Sequence, residues 1–176
     1  IPALRQYAMR RLISSICQER LYTRGTSGAC WAQRPIRSPT EISFVVCIQM
    51  KGAPIKAAKG GRILELDWDG NVVWEHVDHN QHHNVTRLEN GNTLYIAWEE
   101  LSQQEAIRVR GGVLGTEREG KIYGDVIREV NPDGEIVWEW FFKNEGYDEY
   151  ALSEDCDRAE WAHANTVSTT LDGDIL

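Results

Sequence analysis

Several common features are missing from this sequence, and each absence excludes a class of protein. Its four cysteines form no Cys-x-x-Cys pair, which argues against a zinc ribbon. It contains no run of 18 apolar residues, so it predicts no membrane-spanning helix. Basic residues are too few beyond residue 50, where the net charge is −13, to build the basic face that binds phosphates. We therefore expect neither a nucleic-acid partner nor a membrane span.

The first fifty residues are poor in acidic residues and rich in arginine. They hold seven Arg, no Lys and only Glu19 and Glu41, a net charge of +5. This composition is similar to that of a transit peptide, but the segment lacks the long apolar region of a secretory signal. Residues 1–60 are therefore predicted to be an uninterpretable Arg-rich segment plus a linker. We expect this segment to pack poorly against the rest of the chain and assign it no function.

The cysteines leave two alternatives open. Cys17, Cys30 and Cys47 lie in the first fifty residues, and Cys156 stands apart. In an oxidising compartment Cys156 could form a disulfide with one of the others. Alternatively, all four cysteines are unpaired small apolar residues.

The stretch 82–141 predicts two consecutive β-hairpins. β-rich segments at 82–88 and 92–98 flank Asn90-Gly91, and segments at 126–131 and 135–141 flank Asp133-Gly134. Asn-Gly and Asp-Gly between such segments favour tight hairpin turns, because both residues tolerate positive φ. Two hairpins in series predict a four-stranded antiparallel meander.

Copies of these hairpins lie on both sides of the meander. Residues 63–75 repeat 127–139 at a constant offset of 64, and 163–176 repeat the first hairpin. An array of four-stranded all-β units is typical of a β-propeller. We predict an all-β, partial propeller over 61–176, with a half blade at 61–77, a full blade at 82–141 and the start of another at 163–176.

The length of the chain is short for that fold. A closed propeller needs at least four blades, whereas 176 residues supply about two. The chain also begins with Ile1 and ends inside a repeated hairpin. We therefore expect a fragment of a longer protein, the alternative being a small self-contained β domain.

Histidines mark the start of two predicted blades. His82 and His83, followed by Asn84, occupy almost the same repeat position as His163, which is followed two residues later by Asn165. The first strand of each blade lines the channel of a propeller, so these side chains are expected to converge there. Imidazole can transfer protons, attack as a nucleophile or bind metal, but this spacing matches no standard metal site. We predict catalytic roles for the three histidines and substrate binding by the two asparagines, with no metal and no cofactor.

Other repeated residues fit structural roles better. Trp74 and Trp138 recur at one repeat position and are expected to pack between blades, and the recurring Glu75 and Glu139 are expected to be structural.

Adjacent side chains on a strand face opposite ways, which favours His83 over His82 as the partner of His163. A β-bulge at the strand end could shift this by one residue, so both histidines are kept.

The segments 61–75, 82–84, 88–94 and 161–167 together resemble the bacterial arylsulfate sulfotransferases, which do not use PAPS. The family's His-x-Asn-Ser motif corresponds to His163-Ala164-Asn165-Thr166, and its His-His-Asp motif to His82-His83-Asn84. Thr166 replaces Ser and Asn84 replaces Asp, and the second change puts the role of position 84 in doubt. The resemblance covers about residues 60–176.

This resemblance implies a six-bladed propeller that is periplasmic or secreted and moves a sulfuryl group from an aryl sulfate to a phenol. The route passes through a sulfated histidine, with channel residues stabilising the charge that develops. The resemblance places that nucleophile beyond Leu176 and gives His163 and one of His82 and His83 supporting roles. It leaves the acceptor phenol and a homodimer open. The alternative is a non-catalytic, quinoprotein-like propeller that serves as a binding or assembly scaffold.

Overall fold

The computed structural model describes residues 30–32, 43–48, 51–55, 58–67, 69, 71–146 and 150–176. About half of these residues lie in β-strands and few lie in helices, which confirms the all-β prediction. The chain divides into two compact units, Ile1–Met50 with Gly60–His79, and Lys51–Lys59 with Asn80–Leu176. We describe each unit by itself. No helix among the described residues is long and apolar enough to cross a membrane.

The first unit is a four-stranded antiparallel meander. Its strands, in sheet order, are β1 (Cys30–Ala32), β2 (Ser43–Ile48), β3 (Gly61–Leu66) and β4 (Val72–Val77). Ile63 lies on one face of β3, Leu64 and Leu66 lie on the other, and all three side chains are buried. A strand paired on both sides and apolar on both faces is suited to the middle of a sheet.

The sheet begins earlier than the sequence analysis predicted. The boundary at residue 61 would leave 61–77 as a half blade, but β2 pairs with β3 along all six of its residues, and β1 pairs with β2. Val46 of β2 is buried. The expectation that this part of the chain packs poorly is therefore wrong for Cys30–Ala32 and Ser43–Ile48. The physical reason is that β3 would otherwise leave one edge of backbone N–H and C=O groups without partners. Residues 1–29 lie outside the described residues.

The second unit contains the predicted meander of 82–141. Its strands are β5 (Gln81–Arg87), β6 (Thr93–Glu100), β8 (Tyr123–Val130) and β9 (Ile136–Phe141), and each pairs antiparallel with the next. Both predicted hairpins are confirmed. Gly91 and Gly134 sit at φ +87° and +85° in their turns, a conformation that L side chains rarely adopt.

The repeated hairpins match residue for residue. In the first unit Glu65 pairs with Trp74 and Leu66 with Val72, which requires one extra residue on the returning strand. In the second unit the pairs shifted by 64 residues, Glu129 with Trp138 and Val130 with Ile136, show the same irregularity. The turns are closed alike, because the Asp67 and Asn131 side chains each accept the backbone N–H four residues later, at 2.8 and 2.9 Å.

The final segment repeats only the tip of the first hairpin. Thr169 pairs with Ile175, as Arg87 pairs with Thr93, and the Thr170 N–H donates to Asp174 O at 2.8 Å. A two-residue strand, β11 (Glu160–Trp161), precedes it and runs parallel to the start of β8.

Two long connections pack on each other in the second unit. The first contains a short helix, α1 (Gln103–Arg108), and β7 (Gly111–Val113). The second contains a 3₁₀ turn (Phe142–Glu145) and β10 (Leu152–Asp157), which pairs parallel with β7. Arg158 fastens them, because its buried guanidinium donates to Glu117 and to the carbonyls of Val109 and Gly111. Leu101, Val109, Ile122 and Trp161 form the apolar core beneath.

The repeated tryptophans are more exposed than predicted. Trp138 on β9 is 39% exposed, and Trp74 on β4 is only half-buried. Each lies on the last strand of its meander, which has one neighbouring strand in its sheet. Packing of either tryptophan against another blade remains a prediction.

Candidate functional site

His82 is enclosed at the start of β5. Its side chain is fully buried, and its ring stacks on the indole of Trp98 with centroids 4.2 Å apart. Its Nε2 lies 3.3 Å from Oδ1 of Asp125, within ion-pair distance but outside hydrogen-bond geometry. Asp125 is itself buried on β8. A buried imidazole beside a buried carboxylate is held in one orientation, because both groups would otherwise lose solvation without compensation.

A bulge in β5 turns His83 out of the strand. His82 pairs with Ile96 and Val85 with Tyr95, so residues 83 and 84 are inserted between two adjacent ladder positions. His83 takes φ +51°, and its N–H donates to Ala58 O at 2.9 Å. The bulge lies at the strand end where the sequence allowed for one. It brings Nδ1 of His83 to 2.8 Å from Nδ1 of His82.

The environment of His83 keeps its imidazole neutral. Burial, followed by the neighbouring rings of His82 and His163, lowers the pKa of His83 from 6.5 to about 4, and Asp125 opposes this effect. A neutral imidazole has one N–H, so either His83 or His82 donates across the 2.8 Å contact. If His83 donates through Nδ1, its Nε2 keeps a lone pair for attack or proton acceptance. If His82 donates, Nε2 of His83 carries the proton and can donate a hydrogen bond.

His163 completes the cluster, as the sequence analysis predicted for one of the two adjacent histidines. Its ring meets that of His83 edge to face, with centroids 5.0 Å apart. Its Nδ1 lies 2.7 Å from Oε2 of Glu160, and its side chain is 43% exposed. Glu160 also accepts the indole N–H of Trp98 at 3.2 Å. Two carboxylates therefore support the three imidazoles, one behind His82 and one beside His163.

The two asparagines are placed differently. Asn84 holds the chain, since its Oδ1 accepts the Val167 N–H at 3.0 Å and lies 3.3 Å from the Thr86 hydroxyl oxygen. Asn165 is exposed, and its Nδ2 donates to His163 O at 3.1 Å. Asn84 thus links β5 to the segment that carries His163, a structural task that the substrate-binding prediction did not include.

Three residues of the site were not identified from the sequence: Trp98, Asp125 and Glu160. Asp125 makes two contacts in the site: its Oδ1 lies beside Nε2 of His82, and its Oδ2 accepts the Ala164 N–H. The available signal was the repeat itself. The offset of 64 aligns Asp125 with Gly61, so a carboxylate enters a strand position that is glycine in the other copy. Residues that recur between repeats favour a structural role, and Asp125 does not recur.

A cavity of about 730 Å³ opens beside His163. Its lining is mixed: Pro54, Ile55, Arg118, Leu152, Cys156, Asp157, Ala159, Glu160, Ala162 and His163. This volume lies in the range of small-molecule sites in proteins. The cavity is contained within the second unit and brings solvent to the Glu160–His163 pair.

A buried lysine lies behind the cluster. Lys59 donates to Ala53 O at 2.5 Å, and its ammonium lies 5.3 Å from the centre of the Trp98 ring. Burial lowers the pKa of Lys59. It pairs by backbone with His82 and so helps to fix the start of β5.

Among the residues that the structure describes, no group of three or more His, Cys, Asp or Glu side chains is arranged to hold a metal ion. Although three imidazoles converge, two of them face each other through Nδ1 at 2.8 Å. Imidazoles in such contact can donate and accept hydrogen bonds, transfer protons and attack as nucleophiles.

Comparisons of this chain with protein-family models, with curated proteins and with solved structures found no significant match.

Proposed function

We propose that this chain is part of an arylsulfate sulfotransferase-like enzyme, which transfers a sulfuryl group between phenols through a histidine intermediate. The convergence of His82, His83 and His163, with carboxylates on both sides, is the observation that carries the proposal. In this proposal each four-stranded sheet is one blade of a six-bladed propeller, located in the periplasm or secreted. The resemblance in the His82-His83 and His163-Ala164-Asn165 motifs supports the same assignment.

The reaction has two half-reactions. A histidine nitrogen attacks the sulfur of an aryl sulfate, an N–S bond forms, and the bond from sulfur to the phenolic oxygen breaks. The acceptor phenol then attacks that sulfur, loses its proton, and releases the histidine nitrogen. The family resemblance assigns the attacking histidine to a later blade, so the histidines described here have supporting roles.

His163 is suited to move the proton in both half-reactions. With Nδ1–H donating to Glu160, its Nε2 can accept the proton of the acceptor phenol, and the nearby carboxylate stabilises the resulting imidazolium. In the first half-reaction the imidazolium returns a proton to the departing phenolate. No net proton is gained or lost over the two steps.

His82 and His83 are suited to positioning and to hydrogen bonding. His83 is neutral at pH 7, and when His82 is the donor in their shared contact, Nε2–H of His83 can donate one hydrogen bond to a sulfuryl oxygen without carrying a charge. The Nδ1–Nδ1 contact couples the tautomer of His83 to that of His82, and the carboxylate of Asp125 lies 3.3 Å from Nε2 of His82. A preorganised donor of this kind is worth about 10²–10³ in turnover.

The test uses the complete protein with 4-nitrophenyl sulfate as donor and phenol as acceptor, and release of 4-nitrophenolate is followed by absorbance. We expect His163→Ala to lower turnover by about 10²–10³, the usual effect of losing one such group. His76→Ala is the matched control, since His76 lies on β4 of the first unit, and it should leave turnover unchanged. A folded protein without transfer activity would contradict the proposal.

The scaffold alternative has one observation in its favour. Val73 on β4 and Val137 on β9 occupy equivalent repeat positions and are 54% and 51% exposed. Exposed apolar residues at repeated positions are typical of surfaces that pack against another sheet or partner. Absence of transfer together with stable folding would favour this alternative.

A further inference from the structure

The indole of Trp98 connects the two sides of the histidine cluster. His82 stacks on its ring with centroids 4.2 Å apart, and its Nε1–H donates to Oε2 of Glu160 at 3.2 Å. That same carboxylate oxygen lies 2.7 Å from Nδ1 of His163. The position of the indole therefore sets both the surface on which His82 rests and the oxygen that orients His163.

An ammonium group lies against this indole. Nζ of Lys59 is 5.3 Å from the centre of the Trp98 ring and donates to Ala53 O at 2.5 Å. Lys59 is only 4% exposed, and Trp98 is fully buried. Among the residues that the structure describes, no carboxylate forms an ion pair with Lys59. The indole face and one carbonyl oxygen are therefore the contacts that offset its charge.

Packing by itself does not require a charge at this position. Trp98 already belongs to a buried apolar cluster with Ala53, Ile55 and Tyr123. A methionine would fill the space of the Lys59 stem without the desolvation of an ammonium group. Burial of a charge that has no ionic partner is unfavourable. The amine thus lies here at a cost to stability, which indicates a role in the electrostatics of the indole.

A cation in this place changes the indole as a hydrogen-bond donor. It is attracted to the electron density of the ring face and draws that density toward itself. The ring N–H then becomes a stronger donor, as neighbouring groups in a hydrogen-bond chain polarise one another. Here that donor is the Trp98 N–H, and its acceptor is the Glu160 oxygen shared with His163. The charge of Lys59 thus acts on His163 through two other side chains.

From these contacts we infer that Lys59 is a positioning residue of the histidine cluster. Its ammonium holds and polarises the Trp98 indole, and the indole N–H fixes the Glu160 oxygen against which His163 is oriented. The contribution of Lys59 to sulfuryl transfer rests on the proposed function, whereas its effect on the indole does not.

Three variants of Lys59 separate its charge from its hydrogen bond and its bulk. Lys59→Met removes the charge and the donor, and Lys59→Gln keeps a donor for Ala53 O without a charge. Lys59→Arg keeps the charge and stacks on aromatic faces. Lys121→Met is the matched control for charge, since Lys121 is exposed and pairs with Glu100 at 2.8 Å. Circular dichroism establishes that each variant is folded.

NMR of the isotope-labelled chain observes the Trp98 indole directly. We expect its N–H proton to move upfield in Lys59→Met and Lys59→Gln, because its hydrogen bond to Glu160 weakens. Its exchange with water should become about tenfold faster, the factor that corresponds to the loss of one desolvated cation–π contact. Lys59→Arg and the control should stay close to the unaltered protein. The Trp161 indole, which donates to Tyr150 O at 2.9 Å, reports general loosening and should keep its exchange rate.

Turnover of 4-nitrophenyl sulfate by the complete protein tests the consequence for catalysis. We expect Lys59→Met to lower kcat by about threefold to tenfold with KM unchanged, a size typical of residues that act through others. Lys59→Arg should recover most of this loss. In a Trp98→Phe background, which lacks the indole N–H, Lys59→Met should cause no further loss. An independent loss there would contradict the path through the indole.

The outcomes keep this inference apart from the proposed function. A weakened Trp98 hydrogen bond in both neutral variants, but not in Lys59→Arg, supports the positioning role even if no transfer is found. If Lys59→Arg does not fold, faster exchange of Trp98 but not of Trp161 in Lys59→Gln supports it. An unchanged Trp98 signal in the neutral variants, the same change in all three variants, or equally faster exchange of Trp161 would overturn it, even if transfer activity is present.

Discussion

The two four-stranded sheets share a pairing register but differ at the positions that form the histidine site. Trp98 pairs with Asp125 in the second unit, and the same ladder position in the first unit pairs Ile48 with Gly61. His82 pairs with Ile96, and the corresponding pair in the first unit is Trp31 with Val46. The imidazole and the carboxylate of the second sheet thus have no counterpart at the equivalent positions of the first.

A second difference lies in β5 itself. Its ladder is interrupted by the two inserted residues that include His83, whereas Trp31 and Ala32 of β1 occupy consecutive ladder positions. The comparison teaches that the repeat provides the scaffold and that departures from the repeat provide the site.

The largest expected effect comes from removing the carboxylate that only the second sheet has. Asp125→Ala leaves buried His82 and the Ala164 N–H without their partner, so we expect a loss of about 3–5 kcal/mol in unfolding free energy. Urea denaturation of the second unit measures it. A loss below about 1 kcal/mol would show that the fold does not need this carboxylate, just as the first sheet has Gly61 and no carboxylate at the equivalent position.

A smaller effect is expected in the long connections, which the described part of the first unit does not share. Gly111 and Gly115 both have positive φ, but a Cβ at Gly111 would lie 2.0 Å from Leu152 O, whereas one at Gly115 meets nothing within 4 Å. We expect Gly111→Ala to cost about 3 kcal/mol and Gly115→Ala about 1 kcal/mol, the latter from backbone strain alone. Hydrogen exchange of β7 and β10 amides, compared between the two variants, isolates the steric part. Equal protection in both would mean that β7 and β10 separate easily.

The titration of His83 tests the cluster at a lower energy. Its lowered pKa means that the unfolded chain binds a proton at a higher pH than the folded chain does. The contribution of His83 to the unfolding free energy should therefore be complete above pH 6.5 and decline as the pH falls toward about 4. Because the ring is partly solvated, we expect only about 1–2 kcal/mol from this group after screening.

Ring NMR signals of His83 report the pKa directly. His163→Ala should raise it, since the neighbouring imidazole contributes to lowering it. Asp125→Asn should move the pKa in the opposite direction. A pKa of His83 that is unaffected by both changes would contradict the proposed electrostatic coupling of the cluster.

The smallest effects should be equal in the two sheets. Glu75 pairs with Arg62 at 2.6 Å and Glu139 with Arg128 at 2.8 Å, both at partly exposed sites. We expect Glu75→Gln and Glu139→Gln each to cost less than about 1 kcal/mol. Thermal denaturation of the two variants side by side provides the measurement. A large cost for one and not the other would show that these recurring carboxylates do not have the same structural role.

Part of this structure could be read from the sequence because it depends on local chemistry. Turns at Asn90-Gly91 and Asp133-Gly134 require positive φ, and the β-rich segments around them have few alternatives to pairing. The offset of 64 residues predicted equivalent hairpins, and their matching irregularities confirm it. The convergence of His163 with one of the two adjacent histidines also followed from repeat positions.

Other features depended on contacts between residues far apart in the chain. The pairing of β1 with β2 and of β2 with β3 could not be predicted from an Arg-rich composition. The pairing of a strand with a sheet edge depends on its register and on which side chains it buries, and net charge does not show either. Strand alternation already favoured His83 over His82 as the partner of His163, but the bulge that turns His83 out of β5 depends on pairing with the neighbouring strand and could not be placed from the sequence. Asp125 and Glu160 lie 43 and 78 residues from His82 in the chain, so no local pattern could assign them to its surroundings. The sequence alone determined the repeated hairpins and indicated that His163 meets one of His82 and His83. Tertiary packing decided which carboxylates hold these imidazoles, because burial makes an unpartnered charge costly.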